Sequence, residues 1–214
     1  MPSTVSQIFS AAGLGVGGVL DATGAVEWGI PVPETGPGVY VVALTAETET
    51  TGGALSACPV SAAKVAGLLE ACPGLTVDGS RPDVASLCDR LGAFWLPDEV
   101  VLYIGMTEGQ SLRTRVSQYY TTPLGASRSH RGGWFLKTLT IRPDVYVHYA
   151  PRSNPGHAED AMIEAFTRGV SDRSRGGLHD PGLPIPFANL EWHRRRPGKR
   201  RRKRHGIKGA TIPR

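Results

Sequence analysis

The pattern of apolar and polar positions predicts short strands separated by helices. Residues 38–45 (GVYVVALT) and 100–107 (VVLYIGMT) are compact runs of β-branched and aromatic side chains that follow proline-containing turns, which is typical of strands. Residues 145–149 (VYVHY) alternate along the chain and predict a third strand. A further short strand is expected within residues 26–30.

Capping residues and apolar spacings of three and four indicate where helices begin and end. Ser3, Ser61 and Ser111 are predicted N-caps, and Ser80 stands near a cap with Pro82 in the first turn. The predicted helices cover residues 3–12, 61–71, 82–94, 111–120 and 157–170. We assign the chain to the α+β class.

Glu159 interrupts the apolar face of the last predicted helix. At 100° per residue it projects from the middle of an arc formed by Ala158, Met162, Ile163, Phe166 and Val170. An ionised carboxylate in that position is costly unless it is paired or bound to a metal. The pattern alone leaves two interpretations open: a helix-start carboxylate paired with an arginine, or a metal ligand.

Charge is distributed unevenly along a chain of otherwise ordinary globular composition. Eleven of the 24 Lys and Arg residues lie in residues 194–214, which contain no acid, so the first 193 residues hold 13 basic and 19 acidic groups. A basic segment of this density predicts contacts with phosphate. Three cysteines without a CxxC pair predict neither a disulfide framework nor a cysteine zinc site, and a cytoplasmic location is expected.

Two strand tripeptides and a helix resemble the signature of the GIY-YIG nucleases. GVY (38–40) and YIG (103–105) match the two tripeptides that name the family. The helix LRTRVSQY (112–119) then carries Arg115 one turn before Tyr119, on the same face. Each string occurs by chance in strands and helices, but their order along the chain is the order of the family.

Two later elements extend the resemblance. AEDAMI (158–163) is similar to the context of the family's metal-binding glutamate, and PIPFAN (184–189) ends in an asparagine after a proline-containing loop. The resemblance covers residues 36–45 and 100–190. It implies a small three-stranded mixed sheet flanked by helices.

The resemblance also implies a division of the chain. A nuclease domain is expected over residues 36–193, after an N-terminal extension (1–35) and before a basic tail (194–214). The family joins its two tripeptides by a short hairpin loop, whereas Tyr40 and Tyr103 are 63 positions apart. Residues 46–99 are therefore expected to be a helical insertion, which loop-closure entropy tolerates. We interpret this acidic insertion as structural or dimer-forming, with a helix-turn-helix recognition module as the alternative.

The implied activity is metal-dependent hydrolysis of DNA. Glu159 would hold one divalent cation, Mg²⁺ in the first instance with Mn²⁺ as the alternative. Arg115 would bind the non-bridging phosphate oxygens through its rigid fork of donors. The extra residues Glu108–Gln110 before the helix leave Arg113 as an alternative to Arg115.

Tyrosines and one asparagine complete the predicted site. Tyr40 or Tyr119 would take the proton of the attacking water, which requires a lowered pKa because free tyrosine titrates near pH 10. Tyr103 would position the water or a phosphate oxygen. Asn189 would fix either the local structure or the phosphate.

DNA is the expected partner, and no association with a membrane is predicted. The tail residues expected to contact it are Arg194, Arg195, Arg196, Lys199, Arg200, Arg201, Arg202, Lys203 and Arg204. A restriction-type enzyme is the first interpretation. A structure-specific repair or recombination nuclease and a non-catalytic nucleic-acid-binding protein are the alternatives, and a second copy of the chain is a further candidate partner.

Overall fold

The computed structural model describes residues 2–14, 24–51, 55–126, 131–140, 144–193 and 200–212. Its centre is one sheet that contains β1 (Gly24–Glu27), β2 (Gly38–Ala43), β4 (Val101–Thr107) and β5 (Tyr146–Pro151). The strands lie in the order β1-β5-β2-β4, and each neighbouring pair is antiparallel. The α+β class is confirmed. The sheet has four strands where three are expected, because β1 pairs with the outer side of β5. It is antiparallel throughout, where a mixed sheet is expected.

The helices flank this sheet and keep most of their predicted positions. They are α1 (Val5–Ala11), α2 (Ala62–Ala71), α3 (Val84–Gly92), α4 (Leu112–Thr121), α5 (Pro155–Gly169), α6 (Asp172–Gly176) and a 3₁₀ helix (Arg131–Thr138). Ser61 and Ser111 cap α2 and α4 as predicted. Thr4, which forms a reciprocal capping box with Gln7, replaces Ser3 as the cap of α1, and Asp83 caps α3. Across the described ranges, no helix has the length and apolar character needed to cross a membrane.

The two faces of the sheet carry separate cores, as strand alternation requires. Val39, Val41 and Ile104 face α1 and the apolar side of α5. Tyr40 and Val42 face the opposite way, toward α4 and the two insertion helices. The site residues of β2 therefore point away from the core that α5 covers.

The predicted insertion between β2 and β4 is part of the main core. It contains α2, the two-residue strand β3 (Thr76–Val77) and α3. Its buried side chains Val65, Leu68, Leu87 and Leu91 belong to the same apolar cluster as Tyr40. This packing favours the structural interpretation of residues 46–99 over a separate recognition module.

Residues 200–212, called the C-terminal segment below, are folded against the body of the protein. β6 (Glu191–His193) pairs with β7 (Arg200–Arg202), and β8 (Ile207–Lys208) pairs with β3 of the insertion. The sequence predicts a basic tail over residues 194–214. Within the C-terminal segment, part of the backbone of that tail is paired in two small sheets.

Candidate active site

Tyr40, Tyr103 and Tyr119, together called the tyrosine cluster, lie side by side on one face of the sheet. In the register of β2 and β4, Tyr40 pairs with Gly105 and Val42 pairs with Tyr103, so the two tyrosines are diagonal neighbours. Ring centroids are 5.9 Å apart for Tyr40 and Tyr103, and 5.4 Å apart for Tyr103 and Tyr119. Three of the six predicted site residues are therefore in one cluster.

Gly105 permits this arrangement. A Cβ atom at that position would lie 2.7 Å from Cζ of Tyr40 and 2.6 Å from Cε1 of Tyr103. Both distances are far inside van der Waals contact, so any larger residue would push the two rings apart. The glycine of the YIG tripeptide is thus needed in this chain for the two tyrosine rings to pack closely.

The hydroxyl groups of the cluster differ in their hydrogen bonds. The Tyr119 hydroxyl donates to the carbonyl oxygen of Gly133 at 2.7 Å and is fully buried. The Tyr40 hydroxyl is also buried. It lies against the Tyr103 side chain, which acts to raise its pKa, but it makes no hydrogen bond of acceptable geometry within the described part of the chain. Because buried polar groups are nearly always paired, this hydroxyl is a group that a ligand or substrate water would satisfy.

Burial makes ionisation of the three tyrosines still less favourable than in free tyrosine. It raises the pKa of Tyr40 and of Tyr119 well above the ordinary value, and it raises the pKa of Tyr103 to about 12. The guanidinium of Arg115 acts to lower all three pKa values. A tyrosine that acts as a base needs a lowered pKa, whereas the pKa values of all three tyrosines are raised in the protein without a bound cation.

Arg115 and Arg113 occupy different surroundings, as their positions around α4 require. Arg115 is partly buried, and its charge acts on the whole tyrosine cluster and on Glu159. The exposed Arg113 turns away, and its guanidinium donates to the carbonyl oxygens of Val32 and Pro33 at 3.2 and 2.9 Å. The geometry favours Arg115 as the arginine of the site.

Glu159 approaches the cluster from the end of the sheet. Gly38, at the start of β2, pairs with Thr107 at the end of β4 and with Pro151 at the end of β5, and α5 begins four residues later. Glu159 lies in the second turn of α5, between buried side chains of the apolar face, and its charge acts on Tyr40 and Tyr103. The metal-ligand candidate and the tyrosine cluster are thus electrostatically coupled.

The pKa of Glu159 is raised to about 7. The first cause is burial, the charges of Asp160 and Glu108 add to it, and Arg115 opposes it. An ionised carboxylate here is therefore unfavourable at neutral pH despite the neighbouring arginine. Additional positive charge would stabilise it, which is the property expected of a cation ligand.

The donor set fits a hard cation held by few protein ligands. Among the described residues, no group of three or more His, Cys, Asp or Glu side chains is arranged to hold a metal ion. A single carboxylate beside an acidic neighbour, with water and phosphate completing the shell, is a normal environment for Mg²⁺. Glu159 with nearby Glu108 and the unsatisfied Tyr40 hydroxyl meets that description.

Asn189 is bound to the backbone of β4. Its Oδ1 accepts from the amide of Ile104 at 2.9 Å, and its Nδ2 donates to the carbonyl oxygen of Ile104 at 2.8 Å. The Asn189 side chain is buried, and the residue that it binds, Ile104, lies between Tyr103 and Gly105 in β4. Of the two predicted roles for Asn189, fixing the local structure is the one that these hydrogen bonds favour.

The predicted DNA contacts divide into three groups. Arg201, Arg202 and Arg204 are exposed, and Arg202 pairs with Glu191 at 3.3 Å. Lys203 is buried with 5% of its surface exposed, so its assignment as a surface DNA contact is wrong. The predicted contacts Arg194, Arg195, Arg196 and Lys199, and the side chain of Arg200, lie outside what the structure describes.

Sequence reasoning missed two residues at the site. Glu108 follows β4 directly and acts on Glu159, although the sequence pattern suggested only a spacer. Gly133 accepts the Tyr119 hydrogen bond, and a Cβ there would lie 1.8 Å from that hydroxyl oxygen. An acid directly after the YIG strand was a usable indication for Glu108. No local pattern pointed to Gly133, since its partner is 14 positions away.

Comparison of the chain with protein-family models, with curated proteins and with solved structures gave no match.

Proposed function

We propose that this chain is a metal-dependent endonuclease that hydrolyses phosphodiester bonds in DNA, with a site of the GIY-YIG type. One observation carries the proposal: Tyr40, Tyr103, Arg115 and Glu159 come from four different elements and act electrostatically on one another at one end of the sheet. Phosphodiester hydrolysis uses a carboxylate that can bind a cation, an arginine that can bind the phosphate and a hydroxyl that can position the attacking water.

Arg115 would bind the non-bridging oxygens of the scissile phosphate. Its planar guanidinium presents parallel donors that match two phosphate oxygens, and the contact strengthens as negative charge develops at phosphorus. Burial around the tyrosine cluster lowers the effective dielectric constant and so increases the value of that charge. The contact would therefore act mainly on turnover.

Tyr40 is the better of the two candidates for handling the proton of the attacking water. The Tyr119 hydroxyl already donates to Gly133, whereas the Tyr40 hydroxyl has no such bond among the described residues. In the chain alone Tyr40 is protonated and would orient the water as a hydrogen-bond donor. Arg115 acts to lower its pKa, and added positive charge at Glu159 would act in the same direction.

Glu159 is the residue that would hold the divalent cation. When bound, such a cation polarises the phosphate and stabilises the leaving oxygen. Tyr103, packed between the other two tyrosines, would keep the Tyr40 ring in place and offer its own hydroxyl to the water or a phosphate oxygen.

DNA as the polymer is supported by the exposed arginines of the C-terminal segment. Arg201, Arg202 and Arg204 lie close together in sequence at the surface, where they can contact phosphates without reading bases. A restriction-type enzyme remains the biological role we propose for such a site, from the resemblance alone.

The test is incubation of supercoiled plasmid with the purified full chain in Mg²⁺, in Mn²⁺ and in EDTA, followed by sequencing of the product ends. We expect cleavage with either cation and none in EDTA. Ends at one sequence would support the restriction role, and ends at junctions or flaps would support a repair role. DNA binding without cleavage in every condition would overturn the proposal in favour of a binding protein.

A further inference from the structure

Lys203 is an exception within a run of basic residues. Its neighbours Arg202 and Arg204 are exposed, whereas Lys203 is buried. Its Nζ donates to the carbonyl oxygens of Pro186 and Phe187 at 2.8 and 3.0 Å. Because its ammonium group donates to two buried carbonyl oxygens, Lys203 is not placed to contact DNA phosphate.

The carbonyl groups that Lys203 binds belong to residues 186–190, called the edge segment here. The edge segment runs along β4, the outer strand of the sheet. The Ala188 amide donates to the carbonyl oxygen of Leu102 at 2.9 Å, and the Asn189 side chain binds both backbone groups of Ile104. The edge segment thus satisfies the open edge of the strand that carries Tyr103 and Gly105.

Lys203 contacts the edge segment on both sides of Asn189. Besides its two Nζ bonds, its backbone amide donates to the carbonyl oxygen of Leu190 at 3.0 Å. Its ammonium group also lies 5.5 Å from the ring centroid of Phe94 in the core. One residue therefore fixes the backbone immediately before and immediately after the Ala188–Asn189 pair.

Residues 204–206 of the C-terminal segment are tied to other parts of the protein. The Arg204 amide donates to Asp180 at 3.1 Å, and Arg90 of α3 donates to the carbonyl oxygen of His205 at 3.1 Å. The amide of Asp78 donates to Gly206, beside the pairing of β8 with β3. The segment is thus held at the insertion while Lys203 reaches from it to the edge segment.

The chemistry of Lys203 argues against a role in simple packing. Burial lowers the pKa of its ammonium group to about 7, and among the described carboxylates only Asp180 acts to raise it. A buried amine is less favourable than an apolar side chain of similar size unless its hydrogen bonds are needed. Removing it would take the donor from the buried carbonyl oxygen of Phe187, and would leave the carbonyl oxygen of Pro186 with its bond from the Asn189 amide at 3.0 Å.

We infer that Lys203 is a positioning residue of the proposed active site, holding Asn189 and through it strand β4 and Tyr103. This inference rests on the proposed function for its kinetic consequence. Its structural part, the linkage from Lys203 to Ile104, stands independently of any activity.

The first experiment compares Lys203→Met with Lys208→Met, an exposed lysine of the same segment, in the full chain. Amide hydrogen exchange of Ile104, followed by NMR, reports the Asn189 bond directly. We expect Ile104 exchange to be at least about tenfold faster in Lys203→Met and unchanged in Lys208→Met. Equal Ile104 exchange in wild type and Lys203→Met would overturn the inference.

The second experiment is a double-mutant cycle on single-turnover cleavage at saturating DNA. Lys203→Met and Asn189→Ala should each slow cleavage about tenfold or more, and the double variant should be no slower than the worse single variant, because both act through one contact chain. DNA affinity should change less than about twofold. Fully additive rate losses, or a loss confined to affinity, would contradict a positioning role.

Two further outcomes are interpretable. If wild type cleaves no DNA but Ile104 exchange still responds to Lys203→Met, the proposed function fails and the linkage survives. If Lys203→Met does not fold, native-state exchange of wild type in low denaturant decides. The amides of Ile104, Ala188 and Lys203 should then open together, below the free energy of global unfolding, and independent opening of these three amides would refute the linkage.

Discussion

The tyrosine cluster and the C-terminal segment both place polar groups against strand β4, but they satisfy those groups differently. At the cluster, the Tyr40 hydroxyl makes no hydrogen bond among the described residues, and the Glu159 carboxylate is held in surroundings that disfavour its charge. In the C-terminal segment, the buried Lys203 ammonium has two carbonyl acceptors and its amide has a third. In the first region these groups have no such partners among the described residues, whereas in the second the ammonium group and the amide both have carbonyl acceptors.

This difference separates binding from support. Unsatisfied buried polar groups are costly, so a protein retains them where a substrate or ion completes them. Satisfied ones serve to hold the backbone in place. Substitutions in the tyrosine cluster should therefore act mainly on turnover, and substitutions of bonded groups should act mainly on stability.

The largest effect should come from the arginine that faces the cluster. We expect Arg115→Ala to reduce the single-turnover cleavage rate by about 100-fold or more, because the lost contact is strongest in the transition state. Arg113→Ala should keep the rate within about threefold and lower the thermal midpoint slightly, since it loses its bonds to Val32 and Pro33. Loss of turnover in Arg113→Ala with a mild Arg115→Ala would reverse the assignment.

The two buried tyrosine hydroxyls should respond in opposite ways. Tyr40→Phe removes a hydroxyl that contacts the Tyr103 side chain but makes no hydrogen bond of acceptable geometry among the described residues, so it should slow cleavage about tenfold or more with little change in stability. Tyr119→Phe leaves the buried Gly133 carbonyl without its donor, so it should cost about 1–3 kcal/mol in the free energy of unfolding. Chemical denaturation and single-turnover rates of both variants check this, and a stable but inactive Tyr119→Phe would contradict it.

Glu159 should make folding less favourable as pH rises. Its folded pKa of about 7 lies above the ordinary value of 4.5, so the penalty for ionising it appears above pH 4.5 and is complete above pH 7. Glu159→Gln should therefore exceed wild type in stability by on the order of 2 kcal/mol at pH 8 and by much less at pH 5. Urea denaturation across that range measures it, with the exposed Glu70→Gln as the control. A Glu159→Gln variant that is less stable at pH 8 would indicate a structural ion pair instead.

The smallest effect should come from the exposed arginines of the C-terminal segment. Arg201→Ala should weaken DNA binding a few-fold, equally at all sequences, and reduce the salt slope of log affinity by about one. Fluorescence anisotropy over a salt series measures that slope. An unchanged slope would remove Arg201 from the DNA surface.

Much of the site could be predicted because its cues are local. Arg115 and Tyr119 share a helix face by spacing, Ser111 caps that helix as predicted, and Glu159 stands out within an apolar arc. The structure brings these residues together with Tyr40 and Tyr103, although the activity itself stays a prediction. The periodicity of apolar residues and the capping of helices depend on only ten or fifteen consecutive residues, so both can be read directly from the sequence.

The parts that could not be predicted depend on distant pairing. The backbone bonds of β1 to β5 and of β8 to β3 join residues more than 100 positions apart, and nothing in either short segment names its partner. Lys203 is one of many basic residues in its run, so counting charges along the sequence could not predict that it is buried. A basic run predicts phosphate contacts only after pairing has decided which side chains remain exposed.

The central claim, that Glu159 holds the cation used by this site, is tested most directly by titrating Mn²⁺ into full-length wild type and Glu159→Gln and recording bound Mn²⁺ by electron paramagnetic resonance alongside DNA cleavage. We predict that wild type binds Mn²⁺ and cleaves, and that Glu159→Gln is folded, binds DNA and has lost both properties, while Glu70→Gln keeps both. Undiminished Mn²⁺ binding and cleavage in a folded Glu159→Gln would contradict the account.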